Sequence, residues 1–179
     1  MRCADQAARA AAGFGSNRDA SGPAAFFRNG TIMSALTLER EQFVARPPAE
    51  VFAFHADARN LERLTPPWLR FEIVPPVPDD MREGTLVDYR IRLRGVPVRW
   101  RSRIAVWEPP YRFVDEQVLG PYRYWIHTHA FVGAGGGTLV RDHVRFSVPG
   151  GALVYRLFVA RDLERIFAFR ARQLAAVFP

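Results

Sequence analysis

The stretch Gly120–Phe131 (GPYRYWIHTHAF) carries residue types whose spacing could support chemistry. It begins with a Gly-Pro turn and then alternates as a β-strand does, so that one face presents four side chains: Trp125, His127, His129 and Phe131. Two imidazoles between two aromatic rings are compatible with a ligand cavity, a catalytic site or a metal site. The neighbouring strands must distinguish these alternatives.

Two aspartates flank this strand in the sequence. If the Gly-Pro turn closes a hairpin, Asp115 lies opposite or diagonal to His127. If the glycine-rich turn after the strand closes the next hairpin, Asp142 lies opposite or diagonal to His129. Directly opposed residues in a sheet have Cβ atoms about 4.5–5.5 Å apart. We therefore expect two Asp/His pairs on one face of the sheet, which we call the His/Asp cluster.

Four interpretations of the His/Asp cluster stay open. It could be a buried hydrogen-bonded network that fixes the sheet, because buried polar groups need partners. It could orient the polar end of an apolar ligand. It could be catalytic, with a histidine as general base held by an aspartate, the candidates being His127, His129, Asp115 and Asp142. A metal site is the least favoured, because a neighbouring aspartate explains each histidine equally well, and we predict no metal.

Arginine stripes on the opposite faces indicate which side of the sheet is buried. Burying Arg99, Arg101 and Arg103 unpaired would cost far more free energy than burying neutral histidines or paired aspartates. We therefore expect the His/Asp face to point inward, beside aromatic side chains. The candidate ligand-binding residues are Tyr89, Trp100, Ser102, Asp115, Gln117, Trp125, His127, His129, Phe131, Asp142 and Phe167. From the periodicity alone, the aromatic residues among them could equally form plain core.

No nucleophile or cofactor motif accompanies the cluster. Neither Ser102 nor Ser147 lies in a nucleophile-elbow pattern. No Gly-x-Gly-x-x-Gly fingerprint follows a predicted strand, and no alternating βαβ pattern exists. We predict no cofactor.

Hydrophobic periodicity predicts the elements that must position these residues. The order is a strand, two short helices, a meander of about six strands and a long C-terminal helix, which is an α+β arrangement. The uncovered face of such a sheet must be buried, and the long helix is the obvious cover. The first predicted strand is Thr37–Ala45, and the two short helices are Ala49–Ala56 and Asn60–Leu64. The strands of the meander are Phe71–Val74, Thr85–Leu93, Val98–Trp107, Phe113–Leu119, the strand that follows the Gly120-Pro121 turn and runs to Phe131, and Thr138–Val148. The C-terminal helix is Ala152–Phe178.

Three local expectations follow from the same patterns. Strict alternation along the fourth strand places Val106 on the inner face. Steps of three and four along the last helix place Leu153 and Leu157 on its apolar stripe, in line with Phe167. His55, in the first short helix, is interpreted as a surface or capping group.

Composition limits the function classes. The chain has 179 residues, and no uncharged apolar run approaches the ~18–20 residues of a membrane span, so we expect no stable membrane insertion. The net charge of +7 is compatible with a nucleic-acid partner. However, all 25 basic residues are arginines and most are scattered along the chain, so we predict no nucleic-acid partner. The single cysteine, Cys3, excludes a disulfide scaffold and favours a reducing cytoplasm.

The N-terminal segment differs from the rest of the chain. Residues 1–36 are rich in alanine, glycine and serine without a sustained apolar period, and we predict a disordered extension before a domain at 37–179. The segment lacks the apolar core of a signal peptide, so we expect a cytoplasmic protein. Met33 is an alternative start position.

The order of several short motifs resembles one known superfamily. These motifs are Asn60-Leu61, Leu64-Thr65-Pro66, Gly84, Trp100, Phe113-x-Asp115-x-Gln117, Gly120-Pro121-Tyr122, Trp125-x-His127-x-His129-x-Phe131, Asp142-x-Val144 and Pro149-x-Gly151. From Leu38 to about Phe178 the chain resembles the START/Bet v1-like (SRPBCC) superfamily, and within it the bacterial ligand-binding proteins related to polyketide cyclase/dehydrases. The resemblance implies a helix-grip fold, in which a curved antiparallel sheet of six to seven strands wraps around the C-terminal helix.

The resemblance also implies a deep cavity between sheet and helix. The leading hypothesis is the binding of a hydrophobic or amphipathic small molecule in that cavity. The alternative is a cyclase/dehydratase-type enzyme that acts on a polyketide-like or aromatic substrate through a His/Asp acid–base pair. A third hypothesis is a basic surface, through Arg99, Arg101 and Arg103, that docks onto nucleic acid or an anionic membrane.

Overall fold

The computed structural model describes residues 35–179; residues 1–34, with the alternative start and most of the predicted extension, lie outside the described residues. The elements that begin the described chain are β1 (Leu36–Val44), α1 (Pro48–Ala56), a 3₁₀ turn (Ala58–Asn60), α2 (Leu61–Leu64) and a second 3₁₀ turn (Pro67–Leu69). Six strands follow: β2 (Glu72–Ile73), β3 (Leu86–Leu93), β4 (Val96–Glu108), β5 (Arg112–Leu119), β6 (Tyr124–Ala134) and β7 (Gly137–Ser147). The chain ends in α3 (Gly151–Val154), a π-helical segment (Tyr155–Val159) and α4 (Ala160–Val177), together called the C-terminal helix.

All seven strands form one antiparallel sheet in the order β1-β7-β6-β5-β4-β3-β2. The β6–β7 hairpin closes through Gly135 and Gly136, whose φ angles of 55° and 85° are open to glycine and strained for other residues. The predicted α+β fold, with a curved antiparallel sheet, a long C-terminal helix and short helices after the first strand, is confirmed.

Two hydrophobic clusters hold the helices against the inner face of the sheet. One joins Trp100 and Trp125 of the sheet to Leu163 of α4. The other joins Phe113 to Phe52 of α1 and Leu174 of α4. The apolar area buried at both ends fixes the C-terminal helix across the sheet, because burial of such side chains is the main favourable term in folding.

The arginine stripes lie on the outer face, as expected. Arg101 donates two hydrogen bonds to Asp88, at 2.7 and 2.8 Å, on the neighbouring strand. Arg103 pairs in the same way with Glu116. Much of the positive charge of this stripe is therefore balanced within the sheet. No helix among residues 35–179 is long and apolar enough to cross a membrane.

The prediction that Val106 faces inward is wrong. A β-bulge between Ile104 and Val106 shifts the register of β4 against β5, and a bulge reverses which residues face each side. Beyond it Trp107 pairs with Phe113 and packs edge-on against Phe52. Trp107 is thus part of the inner layer.

The predicted apolar stripe is wrong at the start of the C-terminal helix. Leu153 and Leu157 are 67% and 60% exposed, whereas Val154 and Tyr155 pack against the core. The cause is the π-helical segment, whose wider turn rotates the preceding residues relative to α4. Further along the helix Leu163, Phe167 and Leu174 are buried as predicted, whereas Ala171, also predicted on the stripe, is exposed.

Candidate functional site

The β-ladder confirms the register expected for the His/Asp cluster. Asp115 of β5 lies directly opposite His127 of β6, and His129 lies directly opposite Asp142 of β7. Both histidines are buried, at 5% and 4% exposure. The two aspartate side chains remain 19% and 17% exposed. Three adjacent strands therefore bring the four side chains to one place on the inner face.

The hydrogen bonds of the cluster run along diagonals of the ladder. His127 Nε2 donates to Asp142 Oδ1 at 2.8 Å, and His129 Nε2 donates to Asp115 Oδ1 at 3.1 Å. Nε2 carries the proton in both rings, because an ionised carboxylate can only accept. The two imidazoles lie one above the other, with centroids 3.7 Å apart. Each histidine therefore contacts the aspartate of the other opposed pair.

The remaining ring nitrogens are less well satisfied. His129 Nδ1 lies 2.9 Å from Asp142 Oδ1, yet the ring direction does not meet the geometry of a hydrogen bond. His127 Nδ1 lies 3.8 Å from Asp115 Oδ1, too far for a hydrogen bond. The short His129–Asp142 approach is thus mainly an electrostatic contact, and His127 Nδ1 is left as an acceptor.

The environment separates the pKa values of the two histidines. Burial, reinforced by the neighbouring His129, lowers the pKa of His127. Burial alone would also lower the pKa of His129, but Asp115 and Asp142 outweigh it and raise that pKa above its ordinary value. The same contacts outweigh burial at both aspartates and lower the pKa of each carboxyl, most strongly that of Asp142. His129 is therefore the more easily protonated imidazole.

The cluster has donor atoms of the kind that divalent metals prefer. Asp115, His127 and His129 each offer one ligand atom, and these atoms lie within 4.8 Å of one another. Nε2 of both rings already donates to a carboxylate, so metal binding through these nitrogens would require loss of both protons and of both hydrogen bonds. The arrangement is better explained as a hydrogen-bonded network.

A cavity of about 180 Å³ lies between the sheet, α2 and the C-terminal helix. One water molecule needs roughly 10–15 Å³ on this measure, so the cavity is large enough for a small organic molecule. Apolar and aromatic side chains dominate its lining, with the cluster on one wall. Eight of the predicted site residues line it: Tyr89, Trp100, Ser102, Asp115, Trp125, His127, His129 and Phe167.

A second cavity of about 130 Å³ lies between β1, β7 and the C-terminal helix. Asp142, one of the predicted site residues, lines this second cavity, whereas the larger one lacks it. Four residues line both cavities: His55, Leu64, Phe167 and Arg170. These residues form the boundary between the two spaces, which we call the junction.

Two predicted site residues line neither cavity. The Gln117 amide donates to the Tyr122 carbonyl at 2.8 Å and accepts from the Tyr122 N–H at 3.2 Å, so it holds the turn between β5 and β6. Phe131 is 2% exposed and packs edge-on against Phe52 and His55 as part of the core. Alternation gives the face of a residue but not its distance from a cavity.

The interpretation of His55 as a surface or capping group is wrong. The His55 ring lines both cavities, and Nδ1 lies 2.8 Å from the Val51 carbonyl in the preceding turn. Nδ1 therefore donates, which leaves Nε2 as an acceptor in the neutral ring. Burial, with a smaller contribution from His129, lowers the pKa of His55 to about 3. The sequence signal was its position at the end of α1, four residues after the buried Val51.

Comparisons with known proteins agree with this architecture. A search of curated protein sequences found no match. Ms6760 from Mycobacterium smegmatis is 20% identical over 79% of this chain and 90% of its own, with a TM-score of 0.60. The Zhui aromatase/cyclase from Streptomyces sp. R1128 is 16% identical over 79% and 92%, also with a TM-score of 0.60. Norcoclaurine synthase from Thalictrum flavum is 14% identical over 81% and 96%, with a TM-score of 0.60. At these identities the likeness concerns the fold.

A family model provides the sequence link that these structures lack. The model described as "Polyketide cyclase / dehydrase and lipid transport" matches residues 44–170, which contain β2 to β7, both short helices and most of α4. The match includes the cluster, His55 and both cavities apart from a few lining residues. The chain belongs to the polyketide cyclase/dehydrase and lipid transport family, within the SRPBCC superfamily.

Proposed function

We propose that this protein binds a hydrophobic or amphipathic small molecule in the larger cavity, as a cytoplasmic binding protein. The single observation that carries the proposal is an apolar cavity of about 180 Å³ with a polar cluster on one wall. Binding sites for small molecules combine such apolar walls with a few placed polar groups that orient the ligand. Family membership supports the same class of function.

The cluster suits orientation of a ligand better than it suits display of a reactive group. Nε2 of His127 and of His129 donates to an aspartate, and three of the four ring nitrogens lie within 3.1 Å of a carboxylate oxygen. A ligand therefore meets imidazole faces and the exposed parts of Asp115. The stacked rings of Tyr89 and Trp100, with centroids 5.8 Å apart, would hold the apolar body.

An uncharged fluorescent dye, N-phenyl-1-naphthylamine, tests cavity binding without help from charge. We expect saturable binding that is displaced by long-chain or aromatic compounds. The variant Ile166→Phe fills the cavity from the helix and should weaken binding, whereas Leu157→Phe enlarges an exposed side chain on the same helix and should not. Absence of displaceable binding by the folded wild-type protein would contradict the proposal.

One observation favours a second candidate, a cyclase/dehydratase-type enzyme. The pKa of His127 is lowered and that of His129 is raised, and such separation assigns a base and an acid. In that reaction His127 Nδ1 accepts a proton from a carbon between two carbonyl groups. The carbon then attacks a further carbonyl of the same substrate, and the resulting alkoxide takes the proton from His127. The freed Nδ1 then removes the second proton from the same carbon while protonated His129 donates to the hydroxyl, so that water leaves and a carbon–carbon double bond forms.

A poly-β-ketoacyl thioester is the substrate that tests this candidate. We expect mass spectrometry to show a cyclised product that has lost water. His127→Gln should abolish this product while dye affinity and thermal stability persist, whereas the exposed His143→Gln should leave it unchanged. If His127→Gln loses only stability, the cluster acts as a structural network.

A further inference from the structure

Among residues 35–179, Arg170 of α4 is the only lysine or arginine that lines the larger cavity, and it also lines the second one. It is half-buried and lies at the junction with His55 and Phe167. A guanidinium keeps its charge at any physiological pH and carries five N–H donors. Its position gives the cavity one permanent positive charge.

Within residues 35–179, the Arg170 side chain makes neither a hydrogen bond nor an ion pair, and no carboxylate oxygen lies within 4.0 Å of its nitrogens. The guanidinium lies over the Phe167 ring, whose centroid is 5.8 Å from Cζ. Two arginines that reach this helix from elsewhere in the chain are paired, Arg94 with Asp162 and Arg40 with Glu164. Unlike them, Arg170 lines the larger cavity.

The acidic groups of the cluster do not serve as its partner. Asp115 and Asp142 each accept a hydrogen bond from a histidine and face the positive charge that His129 most readily carries. Arg170 acts on Asp115 only through space, as a minor contribution to its lowered pKa. Desolvated donors without acceptors cost free energy, and a carboxylate satisfies a guanidinium through two parallel hydrogen bonds.

We propose that the ligand of the larger cavity carries a carboxylate that pairs with Arg170 at the junction, while its apolar body lies among the aromatic residues. This inference rests on the proposed binding function and narrows it to apolar acids. His55, held neutral with Nε2 as an acceptor, does not compete for the anion and can accept a hydrogen bond from a hydroxyl on the same ligand.

A matched pair of probes tests the inference: 11-(dansylamino)undecanoic acid and its methyl ester, which differ in charge at one end. We expect the wild-type protein to bind the acid about ten- to a hundredfold more tightly, the range for hydrogen bonds to a charged group. In Arg170→Gln the two affinities should become equal because the acid loses affinity and the ester does not. Arg165→Gln is the control, since Arg165 stacks on Trp68 and lines neither cavity.

Each result decides the question. Equal affinities in the wild type, or a preference that survives in Arg170→Gln, would overturn the carboxylate inference while ester binding keeps the proposed function. If neither probe binds, the proposed function fails and the inference fails with it. If Arg170→Gln does not fold, Arg170→Lys replaces it; the preference should fall, because the ammonium lacks the two-pronged geometry, and an unchanged preference overturns the inference.

Discussion

His127 Nε2 and Asp142 Oδ1 lie 2.8 Å apart along a diagonal of the β6–β7 ladder, although Val144 is the residue directly opposite His127. His129 is directly opposite Asp142, and its Nδ1 approaches the same oxygen at 2.9 Å. One carboxylate oxygen therefore accepts a hydrogen bond from His127 and makes an electrostatic contact with His129. Asp142 is the residue on which the geometry of the cluster most depends.

We expect Asp142→Asn to destabilise the protein by about 1–3 kcal/mol, because the buried histidines lose hydrogen bonding to a charged acceptor. The amide oxygen can still accept from His127 Nε2, but it is neutral and cannot stabilise the protonated form of His129. Urea unfolding at pH 7 measures the change. Arg141→Gln removes the exposed pair with Glu41 next door and should cost no more than about 1 kcal/mol. Equal losses in the two variants would contradict the assigned role of Asp142.

The low pKa of His55 predicts acid sensitivity. Its pKa is about 3 in the folded protein against 6.5 ordinarily, so the unfolded chain binds more protons as the pH falls below 6.5. The folded state should therefore lose stability from that pH downward, and the lowered pKa of His127 acts in the same direction. The pKa values of the two aspartates are lowered in the folded protein, so they stabilise it at neutral pH. This stabilisation is lost only when the pH falls below 3.8, the ordinary pKa of an aspartate.

Thermal unfolding between about pH 7 and about pH 4.5 isolates the histidines from the aspartates. His55→Gln should show a shallower loss of Tm with falling pH than the wild type. Its remaining slope belongs to His127, because the raised pKa of His129 contributes stability that is present below 6.5 and is lost only as the pH rises. If Tm depends on pH equally in both proteins, burial does not lower the pKa of His55 in the folded state.

Ser102 is expected to stabilise the aromatic wall through one hydroxyl. The indole Nε1 of Trp100 donates to Ser102 Oγ at 3.1 Å, and Tyr89 Oη lies 3.4 Å from the same atom. Ser102→Ala leaves a buried indole N–H without an acceptor and should cost about 1–3 kcal/mol. In a Trp100→Phe background the same change should cost less, and chemical unfolding of the four proteins in the cycle gives the difference. A zero coupling energy would argue against the bond.

Phe167 separates the two cavities, and its removal should join them. Phe167→Ala is expected to cost about 3–5 kcal/mol, as for other buried aromatic residues, and to admit bulkier dyes. Phe158→Ala removes an exposed ring from the same helix and serves as the control. Thermal unfolding and dye titration measure both effects. Loss of stability without a change in dye selectivity would place Phe167 outside the ligand space.

The register of the His/Asp cluster could be predicted from the sequence because two hairpin turns and the two-residue period of strands determine it. The predicted limits of most strands and helices agree with the structure to within a few residues, because proline- and glycine-containing turns mark where these elements end. The bulge in β4 and the π-helical segment could not be predicted, since tertiary packing selects them and each reverses or rotates a local pattern. Val106, Leu153 and Leu157 were misplaced on that account.

The hydrophobic periodicity of the sequence could not predict that His55 lines a cavity, for a different reason. A residue on a nine-residue helix lies in a cavity only if that helix docks over the sheet, and the docking depends on Phe52 contacting Phe113 and Phe131. Arg170 likewise lines a cavity only because its helix packs against the sheet. An arginine on a partly polar helix looks like a solvated side chain until the facing wall is known.

The His/Asp cluster belongs wholly to the β5–β6–β7 ladder, whereas Phe167, Ile166 and Arg170 belong to the C-terminal helix. The polar cluster and the helical side of the cavity lining are thus contributed by separate parts of the chain. Substitutions on the helix can change the size and charge of an accepted molecule while the backbone hydrogen bonds that place the imidazoles stay as they are. Under the proposed function, protein engineering could therefore change the size or charge of the ligand through helix residues while leaving the strands that place the imidazoles untouched.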